Sequence, residues 1–551
     1  MLLQKIHQQS NPGKIQKKLN NGDFMKKILC LLLSLILVFT AAAPSIYAED
    51  DAPGTDIPLI YVYGQGSHLI IRHDDGTQEK VYPLNINKDE VMQVAKDNFG
   101  IFAKAVVTQQ WDEFADLLYR LASDYFKDLK LDENGNAPNG SEVDWTWSKS
   151  TINGNKTNGK YRTKQFGFYY DFRMDPYKTA EKLHQYIEDV LSVTGEEKVA
   201  LLGRCLGACI CSAYLEKYDA EYISDYIMYA GAMKGATQCS KAFAGELYLD
   251  SDGIERYMYD IELSADEYLN ELIQSFVTLA NKTGGLDLAA WSVNNVYPDI
   301  YLKTVPRVVR ESYGSYPGYW SMVSDEDYEK AKETVFYGAD AEKYSGFIDI
   351  IDNYHYNVQN KLEELFADYM SRGIEIANVT KYGYQTVPVT PDADILSDDI
   401  CELNQASMGA VCSDITGTLS ETYVSQAKAD GTFRFISPDL QIDASTCFIP
   451  ERTWFIKNLE HKNFPNDVDR LFDSIINNDN FTVFDDEMYP QFMVYDDGTD
   501  TISPMTQDNY NTLERYNVSF FDALKKFLKN VFHFIKQYFA QKQKGDIIEQ
   551  N

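Results

Sequence analysis

The chain has 551 residues, with 83 Asp and Glu against 51 Lys and Arg, and a formal net charge of −32 at pH 7. A surface this acidic repels the phosphate backbone, which argues against nucleic acid as a partner. The length predicts one large domain with insertions, or two domains, rather than a single small core.

The N-terminal region has the pattern of a secretory signal. Met25 and two lysines precede an apolar run at 28–43, and a small residue, Ala48, follows. The run of about 16 apolar residues is shorter than the ~20 that a membrane-spanning helix needs. We therefore predict a signal peptide at 25–48, a mature chain that begins near Glu49, and a protein that is secreted, extracellular or associated with the cell surface.

The first 24 residues are polar and carry no pattern. We interpret them as an over-extended gene start before a true initiator at Met25, with a functional extension as the alternative. Removing the whole leader, 1–48, takes away six lysines and one aspartate. This leaves 45 Lys and Arg against 82 Asp and Glu, a formal charge of −37. Such acidity keeps a secreted protein soluble and says little about its fold.

Seven cysteines remain after the leader, at positions 205, 209, 211, 239, 401, 412 and 447. An odd number spread over a long chain does not indicate a disulfide scaffold, so at least one thiol is expected to be free unless it pairs between chains. The sequence has no C-x-x-C pair and no histidine cluster with metal-ligand spacing. We therefore predict no metal site and no organic cofactor.

Strands and helices alternate in the first part of the chain, which is typical of a mostly parallel sheet covered on both faces. An apolar run followed by Gly-Gln-Gly predicts a strand buried on both faces. In chain order the predicted elements are a strand at Ile57–Tyr63, a helix at Asp175–Val193, a strand at Lys198–Leu202, a helix at Leu206–Tyr218 and a strand at Tyr226–Ala232.

The alternation is interrupted once and then resumes. Residues 235–345, rich in tyrosine and acidic side chains, are interpreted as an inserted cap between two parts of the core, 49–234 and 346–480. The second part is predicted to contain a helix at Asn357–Arg372 and a strand at Ile376–Val389.

The segment Gly203-Arg204-Cys205-Leu206-Gly207 lies between a predicted strand and a predicted helix. This is the pattern of a nucleophile elbow, a strained turn whose flanking glycines let neighbouring backbone approach closely. Amide groups and the dipole at a helix N-terminus favour the thiolate form of a cysteine. We therefore predict that Cys205 is a nucleophile, with a buried inert cysteine as the alternative.

Several segments around this turn resemble one enzyme family. They are FGFYYDFRMDPY at 166–177, KVALLGRCLGACICSAYLEKY at 198–218, YIMYAGAMKGA at 226–236, SYGSYPGYWSM at 312–322 and VTKYGYQTVPVTP at 379–391. They are similar to the lecithin:cholesterol acyltransferase family and its phospholipid:diacylglycerol acyltransferase-like lipase relatives, discontinuously over roughly residues 57–465. The resemblance implies an α/β-hydrolase fold and a lipid-like acyl ester as substrate. Two positions depart from the family pattern: Cys205 replaces the nucleophilic serine, and Arg204 replaces a histidine.

The fold implied by the resemblance places the catalytic acid in the loop after its seventh strand. A Ser-Asp-Asp-Ile segment in the corresponding loop is similar to the family's G-D-x-T-V acid loop, and it contains Asp398 and Asp399. We favour Asp398. Asp439, which stands 22 residues before His461, is the main rival, and Asp497 is a third candidate.

The base is expected to follow the nucleophile and the acid in the chain, and only three histidines follow Cys205. His355 precedes the strand before the acid loop, and His533 lies in a basic amphipathic segment. His461 closes the apolar segment TWFIKNLEH, which we interpret as the last strand and its loop. We predict His461 as the base, with a structural surface histidine as the alternative.

These residues predict a secreted acyl-ester hydrolase or acyltransferase that works through an acyl-thioester intermediate. Cys205 would attack the acyl carbonyl, and the backbone amides of Leu206 and Gln65 would hold the oxyanion. The alternative is a non-catalytic binding protein that keeps the α/β-hydrolase fold after its altered elbow has lost turnover.

The C-terminal region, 520–551, follows a predicted linker at 481–519. Apolar residues recur at helical spacing over 520–539, and other positions of this stretch carry Lys525, Lys526, Lys529 and Lys536. The pattern predicts an amphipathic helix. Two interpretations stay open, which are packing on the protein's own acidic surface and peripheral membrane contact.

Overall fold

The computed structural model describes residues 53–548, except for 85–92, eight residues between 95 and 109, 262–266, residue 392 and 511–515. The predicted leader and its signal peptide, 1–48, lie outside the described residues.

One large sheet organises the molecule. Its eight strands have the order β13-β12-β11-β8-β7-β6-β1-β5, and all neighbours run parallel except β12 and β13. Small side sheets are formed by β2, β3 and β4 and by β9 and β10. The strands are β1 (Leu59–Val62), β2 (Leu69–Arg72), β3 (Gln78–Tyr82), β4 (Glu142–Val143), β5 (Phe166–Phe168), β6 (Val199–Arg204), β7 (Ile223–Tyr229), β8 (Glu375–Tyr382), β9 (Val411–Cys412), β10 (Ile442–Asp443), β11 (Thr453–Lys457), β12 (Phe492–Asp496) and β13 (Thr501–Pro504).

Helices precede, connect and follow these strands. They are α1 (Asp112–Phe126), α2 (Thr146–Thr151), α3 (Pro176–Thr194), α4 (Leu206–Tyr218), α5 (Thr237–Phe243), α6 (Ser251–Asp260), α7 (Glu267–Lys282), α8 (Gly285–Glu311), α9 (Pro317–Trp320), α10 (Asp325–Val335), α11 (Ala339–Lys343), α12 (Ser345–Asn357), α13 (Leu362–Ser371), α14 (Leu403–Ala406), α15 (Glu421–Asp430), α16 (Asn466–Asn477) and α17 (Phe520–Ile548). In the part of the chain that the structure describes, none of these helices has the length and apolar character needed to cross a membrane.

Both faces of the large sheet are buried, because successive side chains of a strand point to opposite sides. In β6, Leu201 belongs to a hydrophobic cluster that includes Ile187 of α3 and Ile210 of α4. Its neighbour Leu202 belongs to a second cluster, on the other face of the sheet, which includes Leu471 of α16. A mostly parallel eight-stranded sheet with helices on both faces has the architecture of the α/β-hydrolase fold, and the predicted fold class is confirmed.

The segment interpreted as a cap, 235–345, contains α5 to α11. Helix α5 contacts the loop that follows β8, since Gln238 donates hydrogen bonds to Thr386 Oγ1 at 3.0 Å and to the carbonyl oxygen of Asp399 at 3.1 Å. Buried aromatic side chains such as Trp320 and Tyr328 fix this segment to the core. Helix α5 of this segment thus lies beside the loop at the carboxyl end of β8.

The structure corrects three details of the predicted elements. The strand predicted at Ile376–Val389 ends at Tyr382, because Gly383 adopts φ 110° and turns the chain. The helix predicted at Asn357–Arg372 is divided between the end of α12, a 3₁₀ turn and α13. The segment predicted as a linker, 481–519, supplies β12 and β13, so β11 is not the last strand of the sheet. An acidic turn separates these two short strands, which gives the segment the composition of a loop.

Helix α17 confirms the predicted C-terminal amphipathic helix and packs on α7. Asn530 is buried and donates to Glu271 at 3.0 Å, while His533 stacks on Tyr268 with ring centroids 3.7 Å apart. Large apolar side chains of α17 nevertheless stay exposed to solvent, namely Phe521, Leu528, Phe532 and Ile535. The helix therefore docks through one side and presents apolar residues on another.

Candidate active site

Cys205 lies at the turn between β6 and α4, with φ 53° and ψ −124°. A non-glycine residue in this conformation is strained, as a nucleophile elbow requires. The flanking residues must be glycines, because a Cβ at either position would clash with neighbouring backbone. A Cβ on Gly207 would lie 2.2 Å from the carbonyl oxygen of Val62, and a Cβ on Gly203 would lie 2.7 Å from Cα of Ala208. The sequence pattern therefore corresponds to a real close approach of β6, α4 and β1.

The loop after β1 faces the same turn. A Cβ on Gly64 would lie 3.0 Å from Cβ of Cys205, so the backbone of this loop touches the cysteine. Gln65 follows, and its side chain donates to the Tyr82 hydroxyl at 3.1 Å. Leu206 is the first residue of α4, and its backbone amide hydrogen-bonds the Cys205 sulfur. The two expected oxyanion donors thus belong to the segments on either side of the sulfur.

The structure brings His461 and Asp398 together. His461 Nδ1 lies 2.7 Å from Asp398 Oδ2, and the His461 backbone amide donates to the Asp398 carbonyl oxygen at 2.7 Å. Asp398 Oδ1 in turn accepts from the amides of Ile400 at 3.2 Å and Cys401 at 2.8 Å. The acid loop after β8 and the histidine loop after β11 are therefore joined through one carboxylate and its backbone.

Cys401 is a member of the site that the sequence analysis did not single out. The ligating atoms of Cys205, Cys401 and His461 all lie within 4.8 Å of one another. Cys401 is fully buried, and its sulfur lies 3.7 Å from the carbonyl oxygen of Ala230. The sequence signal for this placement is its position three residues after Asp398, in the predicted acid loop.

Electrostatics at this site favour a thiolate and imidazolium pair. A hydrogen bond from the Cys401 thiol, together with the charge of His461, holds the pKa of Cys205 well below its usual range, although burial opposes this. Burial alone would lower the pKa of His461, but Asp398 and Cys205 outweigh it and raise this pKa to about 9. The neighbouring thiols behave differently, because burial raises the pKa of Cys209 to about 12 and that of Cys211 well above its usual range.

Two basic side chains hold the loop that carries His461. Lys381 is fully buried in β8, and its Nζ donates to the carbonyl oxygens of Glu460 at 2.9 Å, His461 at 2.7 Å and Asn463 at 3.3 Å. Arg204 also donates to the His461 carbonyl oxygen. Burial, and then the charge of Arg204, lower the pKa of Lys381 to about 7. Arg204, at a position where the similar family has histidine, therefore fixes the histidine loop.

The rival acids have other surroundings. Asp439 Oδ2 lies 2.6 Å from Lys457 Nζ and accepts from the Tyr382 hydroxyl at 3.1 Å, so this carboxylate is committed to a buried ion pair. Asp497 is exposed in the turn between β12 and β13. Asp399 has φ 87°, and burial together with the charge of Asp398 raises its pKa to about 7.

The remaining histidines after the elbow lie away from this site. His355 is buried in α12, where its Nδ1 lies 2.7 Å from Gln359 Oε1 and its ring stacks on Tyr328. His533 packs between α17 and α7. Each of the seven cysteines within the described residues is a free thiol, as expected for at least one of them.

Comparison with known proteins adds a family likeness to this geometry. Residues 121–248 match the family model "Lecithin:cholesterol acyltransferase". The matched segment contains β5, α3, β6, the elbow, α4 and β7, which are the elements that position Cys205. A search of curated proteins finds no match to the chain. The likeness therefore supports a lipase-like relationship and leaves the details of the site to its own residues.

Proposed function

We propose that this protein is an acyl-ester hydrolase or acyltransferase with a cysteine nucleophile. The observation that carries the proposal is the contact between His461 and Asp398 beside Cys205, on three loops at the carboxyl edge of the sheet. Nucleophile, base and orienting acid in this arrangement form the constellation used for covalent acyl transfer.

In the first step, the Cys205 thiolate attacks the carbonyl carbon of an acyl ester. The developing oxyanion accepts hydrogen bonds from the backbone amides of Leu206 and Gln65. The His461 imidazolium gives its Nε2 proton to the leaving alkoxide, which departs as an alcohol and leaves an acyl thioester. Asp398 holds the ring through Nδ1 and stabilises its charged form.

In the second step, neutral His461 removes a proton from water or from an acceptor alcohol, which attacks the thioester carbonyl. The thiolate leaves, and the imidazolium and thiolate pair is restored. Hydrolysis and transfer differ only in the identity of the attacking hydroxyl. Both reactions use the same residues.

A lipid-like acyl ester is the proposed substrate. The proposal rests on the likeness of residues 121–248 to the lecithin:cholesterol acyltransferase family and on the exposed apolar residues of α17. Lys525, Lys526 and Lys536 are exposed on the same helix, so it offers both apolar and cationic groups to an anionic lipid surface. We propose that the protein is secreted and makes peripheral contact with lipid through 520–539.

Thiol labelling tests the nucleophile. A haloacetamide at neutral pH should label Cys205 before the other cysteines, because only this thiol has a strongly lowered pKa within the site. His461→Ala should slow the labelling, since it removes the cation that stabilises the thiolate. Equal labelling of Cys205 and Cys209 in the native protein would contradict the mechanism.

The rival function is a non-catalytic binding protein with the same fold. It predicts no turnover of any acyl ester in spite of an intact fold and an accessible Cys205. Short-chain ester hydrolysis by the purified protein therefore separates the two functions. The loss of this hydrolysis in Cys205→Ala, with retention in Cys209→Ala, supports the enzyme.

A further inference from the structure

Three side chains with metal-binding atoms meet at one point of the molecule, although the sequence spacing alone predicted no metal site. They are Cys205, Cys401 and His461, whose ligating atoms lie within 4.8 Å of one another. Both sulfurs belong to free, buried thiols. Acyl transfer by the proposed triad needs only the Cys205 sulfur as a nucleophile, and the Cys401 thiol assists it only as a hydrogen-bond donor.

We propose that this cluster binds a thiophilic divalent cation such as Zn²⁺ through the two sulfurs and His461 Nε2. Tetrahedral zinc has Zn–S distances of about 2.3 Å and Zn–N distances of about 2.0–2.1 Å. Ligands at those distances stand about 3.6–3.8 Å apart, so side chains within 4.8 Å of one another need only a small approach to reach them. Three protein ligands leave a fourth position for water.

The surroundings of the cluster suit metal binding as well. His461 Nδ1 contacts Asp398 Oδ2 at 2.7 Å, which leaves Nε2 as the nitrogen that faces the sulfurs. A carboxylate behind a metal-binding histidine is a common device, because it fixes the ring orientation and increases the basicity of the ligand. The other oxygen of Asp398 accepts from the Cys401 amide at 2.8 Å. One carboxylate therefore positions two of the three ligands.

The charges of the ligands and of the cation also balance at this buried site. Two thiolates neutralise a divalent cation, and the Cys401 thiol proton and the His461 imidazolium proton leave to solvent when the metal binds. Thiolate and imidazole ligands select zinc and similar ions over Mg²⁺ and Ca²⁺, which prefer oxygen ligands. A bound ion engages the Cys205 sulfur and blocks acyl attack. This last consequence rests on the proposed function, whereas cation binding does not.

Cobalt titration tests the site directly. The purified, reduced and chelator-treated protein should bind one equivalent of Co²⁺ and develop the near-ultraviolet sulfur-to-cobalt charge-transfer band. Zn²⁺ should displace the cobalt, and Mg²⁺ should not. Cys401→Ser should remove most of the band, whereas the matched control Cys239→Ser, which changes a buried thiol outside the cluster, should keep it. An absent band, or a band unchanged in Cys401→Ser, would overturn the proposal.

Two further measurements keep the result unambiguous. Asp398→Asn retains all three ligands and should weaken cobalt affinity about 10- to 100-fold, so the test does not depend on the folding of Cys401→Ser. Unchanged affinity in Asp398→Asn would count against the site. Inhibition of ester hydrolysis by Zn²⁺, reversed by chelator, should accompany binding. Cobalt binding without any esterase activity would refute the proposed function but support the metal site, and activity without cobalt binding would do the opposite.

Discussion

The carboxyl edge of the large sheet and the α7–α17 helix pair use charged residues in opposite ways. At the sheet edge, Lys381 and Asp398 are almost completely buried, and each makes several hydrogen bonds that fix a loop. On α17, Lys525 and Lys526 are exposed beside exposed apolar residues. A buried charge needs a defined partner, whereas an exposed charge remains available to contact an external surface. The proposed chemistry therefore belongs to the first region and the proposed lipid contact to the second.

The largest expected effect is at the nucleophile. Cys205→Ala should lower kcat/KM for a short-chain ester by about 10⁴-fold or more, because covalent catalysis is lost. Cys211→Ala removes another buried thiol, on the helix α4 that follows the turn, and it should reduce stability more than turnover. Steady-state kinetics with thermal denaturation checks both variants. Similar losses of turnover in both would indicate a packing effect.

Substitution of two buried aspartates, which have different partners, tests which of them is the catalytic acid. Asp398→Asn should reduce kcat about 10³- to 10⁴-fold, since it disturbs the tautomer and charge of His461. Asp439→Asn should destabilise the fold by about 3–5 kcal/mol, because it leaves Lys457 buried without its carboxylate partner. The folded fraction of Asp439→Asn should keep its turnover. The reverse pattern would make Asp439 the acid.

A smaller loss of kcat is expected when the loop that carries His461 loses its hydrogen bonds to Lys381. Lys381→Met removes three hydrogen bonds to backbone carbonyls of this loop and should lower kcat about 10- to 100-fold through misplacement of His461. Lys457→Met is the matched control, because Lys457 is equally buried but pairs with Asp439. It should affect stability alone. Equal kcat in the two variants would show that Lys381 has only a structural role.

The pH dependence of kcat/KM should reflect the raised pKa of His461. In the presence of chelator, the rate should decline above pH 9, since the imidazolium that protonates the leaving group titrates at about that pH. Because the protonated form of His461 is the active one, activity is retained below this pKa and lost above it. Stopped assays between pH 6 and about 10.5 measure this limb. A rate that continues to rise through pH 9 would indicate a neutral imidazole as the working form.

The smallest effect on soluble turnover is expected at the C-terminal helix. Phe521→Ser together with Phe532→Ser should leave the hydrolysis of a soluble ester nearly unchanged, because both side chains are exposed. Binding to anionic vesicles should fall, since both apolar and cationic groups contribute there, with about 1 kcal/mol from each nearby lysine. Vesicle sedimentation measures the difference. Undetectable vesicle binding by the unmodified protein would contradict the lipid contact.

Sequence reasoning succeeded where the signal was local. The elbow depends on glycines two residues from Cys205, and the alternation of strands and helices follows from short apolar runs. It failed for residues that belong to no recognisable motif. Lys381 reaches a loop about 80 residues away, and its only sequence signal was a lysine within a predicted strand. The β12–β13 hairpin was missed because its strands are short and the turn between them is acidic.

The most direct test of the account is the mass of the enzyme during turnover. The protein is mixed with a short-chain activated ester, quenched in acid within the first turnovers, and analysed by intact mass and peptide mapping. The account predicts one acyl group on Cys205, removable by hydroxylamine as expected for a thioester, and absent from Cys205→Ala. Steady hydrolysis without an adduct on Cys205, or with the acyl group on another residue, would contradict it.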